Sequence, residues 1–149
     1  MQFLKKNYTI ILFFLIISVF AYDYFTRQDF KGNYRKTGAY AIGKIYGIKE
    51  YGRGTGYYYL YTFKVGDKEY KDRSDGELPF SKGPRNVDKR FLVVYLRNNI
   101  HNNVLYITIP VHDSVKNNFE LEKWFLGHPE INPKLDSIPG TGFFFENYF

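Results

Sequence analysis

The feature that most constrains the fold is an alternating run, YYYLYTFKV, at residues 57–65. Successive side chains of an extended chain point to opposite faces, so the odd-numbered positions form one aromatic and β-branched face. Those positions are Tyr57, Tyr59, Tyr61, Phe63 and Val65. The run therefore predicts a half-buried β-strand whose tyrosines build the core. Aromatic residues make up 21% of the chain, and broad rings pack well in strands.

Four further strands are predicted around this one. A two-residue turn at Gly66 and Asp67 leads into the next strand, as in tight hairpins. Residues 73–89 are predicted to be a polar loop and NNIHNN, at 98–103, a turn. The other strands are predicted at residues 39–51, 90–97 and 104–110. The pattern indicates a mainly β fold (α+β overall), either a small antiparallel sandwich or a partial barrel.

A short helix is predicted after the sheet, within residues 113–130. Asp113 or Ser114 would cap its first turn, and Gly127 with Pro129 would end it. Its apolar face would consist of Val115, Phe119 and Trp124.

The N-terminal segment has the composition of a membrane helix. Residues 10–21 are apolar except for Ser18, and tyrosines flank the stretch as in an aromatic belt. One interpretation is an uncleaved anchor that contacts membrane lipid through residues 8–25. The other is a signal peptide cleaved after Ala21. The bulky aromatic residues next to Ala21 make a poor processing site and favour the anchor.

The anchor predicts where the rest of the chain lies. Residues 26–38 are polar, contain two glycines and are expected to tether the anchor to the domain. Basic residues flank both sides, so the positive-inside rule alone does not decide the orientation. A short segment after a compact basic start most often leaves the rest outside, so we expect a single-pass protein with a periplasmic domain. The predicted parts are the anchor 1–25, the tether 26–38, the β domain 39–110 and the C-terminal helix with an aromatic tail 111–149.

Motifs for catalysis or metal binding are not visible in the sequence. The chain has no cysteine, which excludes disulfides, thiolate metal sites and cysteine nucleophiles. None of His101, His112 and His128 has a partner at metal-ligand spacing, and no serine lies in a nucleophile elbow. We therefore expect no enzyme activity, no cofactor and no metal. The formal charge of +6 is spread among acidic residues, so no nucleic-acid partner is expected.

Two regions are predicted to contact a ligand or a protein partner. The GRGTG loop at residues 52–56 precedes a strand rather than a helix, which argues against a phosphate-binding loop. The outward tyrosines beside this loop and the tail FFFENYF, at 143–149, are the better candidates. The predicted contact residues are Tyr51, Arg53, Tyr58, Phe143, Phe144, Phe145 and Phe149.

Three stretches between residues 39 and 110 carry a resemblance: AIGKIYGI, YTFKVGDKEYK and RFLVVYLRNNIHNNVLYI. In them the chain resembles an uncharacterised family of small bacterial membrane-anchored β-domain proteins. It departs from the family pattern at Asn99 and Asn102, where a proline is common. The resemblance implies a membrane-tethered β domain, and its motifs are structural, so no functional residues are transferred.

Together these patterns predict a non-enzymatic, membrane-anchored interaction module of the bacterial cell envelope, with a protein partner at the sheet edge or at the C-terminal helix and FFFENYF tail. One alternative is a β domain that binds a small molecule, a lipid or a glycan through its outward tyrosines and the GRGTG loop. A second alternative, a membrane-held immunity protein, is consistent with the size of the chain and its anchor.

Overall fold

The computed structural model describes residues 2–51, 56–76 and 80–139 of the 149-residue chain. Within these ranges a long helix precedes five strands and two short helices. The helices are α1 (Gln2–Thr37), α2 (Asn118–Leu126) and α3 (Asn132–Asp136). The strands are β1 (Gly38–Tyr51), β2 (Gly56–Val65), β3 (Lys68–Asp75), β4 (Arg90–Leu96) and β5 (Asn99–Pro110). Two 3-10 segments, Phe80–Asn86 and Pro129–Ile131, precede β4 and α3.

The five strands form one antiparallel sheet in the order β3-β2-β1-β4-β5. β1 is long enough to serve two neighbours, because its first half pairs with β4 and its second half pairs with β2. A register shift between Ile45 and Gly47 interrupts its pairing with β2, and such a bulge bends a strand. The sheet curls into a half-barrel, which confirms the predicted fold class in its partial-barrel form.

The two outer strands, β3 and β5, meet on the open side of the curl. The ring centroids of Tyr70 on β3 and His101 on β5 are 6.1 Å apart. The two strands run in the same direction, and over the described residues no backbone ladder joins them. We call this junction the β3–β5 seam.

The aromatic face of β2 fills the inside of the half-barrel, as its alternation predicts. Tyr57, Tyr59, Tyr61 and Phe63 are each no more than 2% exposed. They pack against small and branched side chains of three other strands, which are Ala41, Ile45, Val93 and Leu105. Large rings on one strand are thus matched by smaller side chains across the interior, which is how a narrow barrel is filled.

The 3-10 segment Phe80–Asn86 closes one end of the half-barrel. Asn86 Nδ2 donates a 2.8 Å hydrogen bond to the Tyr59 hydroxyl, which lies 3.1 Å from the hydroxyl of Tyr57. The ring of Tyr57 lies against the backbone of Gly76 and Gly83, where an added Cβ atom would overlap with the ring. Both glycines are therefore required by close approach to a buried tyrosine.

A second core lies on the outer face of the half-barrel. The end of α1 and the C-terminal helices cover this face, and Phe30, Tyr34, Leu121 and Leu135 are buried there. The strand residues beneath them are Leu92, Val94, Val104 and Tyr106. Because both faces of β4 and β5 are covered, these strands are apolar on both sides rather than alternating.

α1 continues beyond the apolar segment, so the structure differs from the tether predicted at residues 26–38. The helix runs to Thr37, and β1 begins at the next residue. Phe30 and Tyr34 lie one helical turn apart with stacked rings 5.8 Å between centroids, and both are buried. Burial of this pair stabilises a helix where the polar composition predicts a tether.

Two predicted connections are wrong. Arg97 and Asn98 form the turn between β4 and β5, and residues 99–103, predicted to be part of that turn, belong to β5. The predicted loop at 73–89 is shorter, because β3 continues to Asp75 and a 3-10 segment begins at Phe80. Neighbouring strands supply backbone hydrogen bonds to these polar stretches, and this tertiary effect overrides their local turn propensity.

α2 begins later than predicted. Its N-cap is Asn117 rather than Asp113 or Ser114. Asn117 Oδ1 accepts a 2.9 Å hydrogen bond from the backbone N–H of Glu120, and the Glu120 carboxylate accepts from the backbone N–H of Lys116. Two backbone donors at the helix start are satisfied in this way, as in a capping box.

The later start also changes which side of α2 is buried. Phe119, predicted on the apolar face, is 66% exposed, whereas Leu121 is fully buried. Val115 is buried as predicted but precedes the helix, and Trp124 packs at the edge of the outer core.

Candidate functional site

Two of the seven predicted contact residues fall within the described structure. Tyr51 ends β1 and Tyr58 lies near the start of β2, on its outward face. The other five, Arg53, Phe143, Phe144, Phe145 and Phe149, lie outside the described residues.

Tyr51 and Tyr58 are brought together on the outer face of the sheet. Their rings stack with centroids 4.4 Å apart and an interplanar angle of 30°. The guanidinium carbon of Arg73, which points outward from β3, lies 4.5 Å from the centroid of the Tyr58 ring. We call these three residues the Tyr51–Tyr58–Arg73 stack. It forms because outward positions of β1, β2 and β3 are neighbours in the curled sheet.

The stack leaves only part of its surface accessible. Arg73 is 5% exposed, and its burial lowers the pKa of the guanidinium from its ordinary value. Tyr51 remains 40% exposed, and Tyr46, further back on β1, is 48% exposed with Lys71 near its ring. A ligand would therefore meet the outer side of Tyr51 and Tyr46 rather than the ring of Tyr58, which the other two members cover.

A buried polar cluster at the β3–β5 seam was not predicted from the sequence. The Tyr61 hydroxyl donates a 2.6 Å hydrogen bond to Asn103 Oδ1, and Asn103 Nδ2 donates a 2.6 Å hydrogen bond to Asp72 Oδ2. The backbone N–H of Arg73 donates to the other carboxylate oxygen of Asp72 at 2.8 Å. Side chains of β2, β5 and β3 are thus joined where no backbone ladder exists.

The electrostatics of this seam cluster are dominated by burial. Burial raises the pKa of Asp72 to about 6, although hydrogen bonds from the Arg73 backbone and the Asn103 side chain oppose the shift. Burial also raises the pKa of the Tyr61 hydroxyl well above its ordinary value. A carboxylate with this pKa changes charge in mildly acidic solution, so the seam is sensitive to pH.

The sequence contained one signal for this cluster. Position 72 shares the inward face of β3 with Tyr70, because side chains alternate along a strand. The assignment of the end of β3 to a loop concealed that alternation, as the assignment of Asn103 to a turn concealed its partner.

A groove of about 570 Å³ lies between the outer face of β1 and β2 and the N-terminal end of α2. Ile42 and Thr62 contribute to its lining, and Glu69 is its acidic side chain. Its cationic side chains are Lys44, Lys64, Arg90 and Lys116. We call this feature the basic groove. Its charge and its apolar lining fit an anion that carries an apolar part.

Some of the cations in the basic groove already have partners. Lys44 pairs with Asp88 at 3.0 Å, and Arg90 lies 3.6 Å from the carboxylate of Asp113. Arg90 also donates to the backbone carbonyl of Val115. These contacts fix Arg90 at the edge of the groove, since it connects β4 with the segment that leads to α2.

Over the described residues, no three His, Asp or Glu side chains lie close enough together to hold a metal ion. The three histidines are separated in the fold. His101 packs beside Tyr70, His112 Nδ1 lies 3.0 Å from Ser114 Oγ, and His128 contacts the carbonyl of Trp124.

Comparisons with known proteins give no match: no protein-family model matches the chain, and neither a curated protein nor a solved structure matches it. The fold, the Tyr51–Tyr58–Arg73 stack, the seam cluster and the basic groove are therefore the basis for a functional proposal.

Proposed function

We propose that this chain is a non-enzymatic, membrane-anchored interaction module of the bacterial cell envelope, with its half-barrel outside the cytoplasm. The observation that carries the proposal is the division of α1 into two parts. The first part has apolar side chains exposed along its length, while the last part supplies Phe30 and Tyr34 to the outer core.

The exposed part of α1 has the properties that a lipid environment requires. The helix from Asn7 to Thr37 is long and apolar enough to cross a membrane, and its most apolar stretch is not buried in the protein. Ser18, the one polar side chain within residues 10–21, donates a 2.8 Å hydrogen bond to the carbonyl of Phe14. In lipid, polar groups must be satisfied within the helix in this way.

The partner is proposed to be a protein that contacts the accessible side of Tyr51 and the tail at residues 143–149. Addition of a partner strand to the sheet is less favoured, because the outer strands β3 and β5 face each other at the seam. The proposal includes membership of the uncharacterised membrane-anchored β-domain family that residues 39–110 resemble, and no nucleic-acid partner.

The anchor is tested by extraction of bacterial membranes at alkaline pH. We expect the full chain to stay in the membrane pellet, Leu15→Ile to behave identically and Leu15→Arg to be released, because a charge at the centre of a spanning helix is costly. Release of the unaltered chain would contradict anchoring. The intact mass separates the anchor from the signal peptide, since cleavage after Ala21 would remove the first 21 residues.

Orientation is tested with a C-terminal tag and protease. We expect the tag to be lost in spheroplasts, whereas protection until lysis would place the half-barrel in the cytoplasm.

The partner contact is tested by co-purification. Removal of residues 141–149, or Tyr51→Ala, should reduce recovery of the cross-linked partner. Phe119→Ala is the matched control, because Phe119 is an exposed aromatic residue on α2 that is not one of the proposed contact residues. Equal recovery with all three variants would exclude these residues as the contact.

The basic groove favours a second candidate function, the binding of an anionic small molecule. Citrate and inorganic phosphate are suitable probes, since they differ in size but share negative charge. Binding should raise the melting temperature of the detergent-solubilised chain, and Lys64→Glu with Lys116→Glu should abolish the increase. Lys36→Glu, on α1 outside the groove, is the control. No change with either probe would count against this candidate.

A further inference from the structure

The first contacts between α1 and the half-barrel occur at the β3–β5 seam. Asn102 Nδ2 of β5 donates to the backbone carbonyl of Thr26 at 3.2 Å and to the Asp29 carboxylate at 3.3 Å. Asn103, the next residue of β5, donates to the Asp72 carboxylate of β3 at 2.6 Å. The seam therefore lies beside this turn of the helix.

This turn follows directly after the apolar segment. Tyr22, Tyr24 and Phe25 are exposed aromatic residues at the end of that segment. Aromatic side chains in such positions lie at the boundary between hydrocarbon and headgroups. Thr26 directly follows Phe25, so the contacts with the half-barrel begin where the hydrocarbon ends.

The distances place the seam within the headgroup layer. From Phe25 to Asp29 the helix rises about 6 Å, at about 1.5 Å per residue. The headgroup region of each leaflet is about 5–7 Å thick, from the difference between the whole bilayer and its hydrocarbon core. A helix that crosses the membrane near the perpendicular thus holds Asn102 and its neighbours at the depth of the lipid phosphates.

The exposed side chains of the seam suit that location. Lys68 and His101 are exposed, and Tyr70 is partly buried between the strands. The ammonium group of Lys68 lies 5.1 Å from the centroid of the Tyr70 ring, and the same ring meets His101 across the seam. Cations beside an amphipathic ring match a surface of anionic phosphates over an apolar layer.

We propose that the β3–β5 seam is a lipid-binding surface that rests on the headgroups of the membrane that α1 crosses. The surface binds phosphate groups of anionic lipids through Lys68 and His101. The inference rests on the proposed anchoring of α1. It adds that one particular side of the half-barrel, the β3–β5 seam, faces the lipid.

The absence of cysteine from the chain allows a direct test with single cysteines. A bimane label is attached to His101→Cys at the seam, or to Lys134→Cys on α3, in full-length protein. Lys134 lies near the salt bridge of 2.6 Å between Asp136 and Arg35, ten residues further along α1 than Phe25. That separation corresponds to about 15 Å of helix rise, beyond the headgroup layer.

The labelled proteins are placed in phosphatidylcholine vesicles with phosphatidylglycerol and headgroup-nitroxide lipid. We expect quenching at position 101 to be at least twofold stronger than at position 134. Lys68→Glu should reduce quenching at position 101. Equal quenching at the two positions, or quenching at position 101 that is unchanged in Lys68→Glu, would overturn the lipid-binding seam.

A third position separates this inference from the anchoring on which it rests. A label at Ile16→Cys, in the middle of the exposed part of α1, should be quenched by lipid with a nitroxide on its acyl chain. Absence of that quenching would overturn the anchor itself. Quenching at position 16 together with equal signals at 101 and 134 would overturn the seam proposal alone.

Discussion

Asn103 and Asp72 are joined by a 2.6 Å hydrogen bond, from the side-chain amide of one to the carboxylate of the other, across the β3–β5 seam. Asn103 also accepts from the Tyr61 hydroxyl at 2.6 Å, so one side chain connects three strands. Side-chain hydrogen bonds join β3 and β5 at the seam, whereas backbone hydrogen bonds join the neighbouring strands of the sheet. The seam is therefore the place where a single substitution should open the half-barrel.

Asn103→Ala should lower the free energy of unfolding by about 1–3 kcal/mol, because it leaves a buried carboxylate and a buried hydroxyl without this partner. Chemical denaturation of the detergent-solubilised chain measures the change. Asn98→Ala, in the exposed turn between β4 and β5, is the matched control and should change stability by no more than about 0.5 kcal/mol. Equal effects of the two variants would contradict the role of the seam cluster.

Stability should fall as the pH rises from about 4 to about 6. The pKa of Asp72 is raised from its ordinary value of 3.8 to about 6 in the folded protein. Between these values the folded state holds a proton that the unfolded state has released, so its advantage is lost as the pH rises through the folded pKa. This pKa shift corresponds to a decrease of about 3 kcal/mol in the free energy of unfolding across this pH range.

This pH dependence is measured by comparing unfolding free energies at pH 4, 5, 6 and 7 in the native chain and in Asp72→Asn. The variant should lack the decrease between pH 4 and pH 6. Asp67→Asn, in the exposed β2–β3 turn, should retain it. A decrease of the same size in all three proteins would assign the effect to other groups.

Gly76→Ala should lower the stability of the folded chain, whereas Gly32→Ala should raise it. At Gly76 an added methyl group would overlap with the fully buried ring of Tyr57, whereas at Gly32 no atom lies within 4 Å. Overpacking at Gly76 should cost about 1–3 kcal/mol. At Gly32, in the exposed part of a helix, alanine should stabilise by up to about 1 kcal/mol. Thermal unfolding of both variants checks the signs.

Asn117→Ala should cost about 1 kcal/mol, because it removes the side chain that caps α2. Ser114→Ala should have a smaller effect, since the helix begins after it. Circular dichroism and denaturation distinguish the two variants. A larger loss of stability in Ser114→Ala than in Asn117→Ala would support the earlier helix start that the sequence predicts.

The sequence predicts those parts of the fold that depend on local alternation. The tyrosines of β2 were assigned to the core from their period of two, and the turn at Gly66 from its residue types. Gly66 indeed has a positive φ of 59°, which glycine adopts without strain. In both cases the physical cause lies within a few residues, so a single sequence contains it.

The unpredicted features depend on partners distant in the chain. Asn103 reads as a turn residue until Tyr61, 42 positions away, provides its hydrogen bond. Residues 26–38 are predicted to be a tether because the burial of Phe30 and Tyr34 in the outer core depends on distant parts of the chain. Of the predicted contact residues, Tyr51 and Tyr58 lie in the described part of the chain, and the covering of Tyr58 by Arg73 also depends on strand pairing.

The unbroken course of α1 has a mechanical consequence. In the proposed anchoring, α1 has no joint between the outer core and the lipid, so anchor and half-barrel would move as one lever. A change in the tilt of the anchor would swing the half-barrel through the same angle, and a sideways pull on the half-barrel would reach the bilayer as a torque.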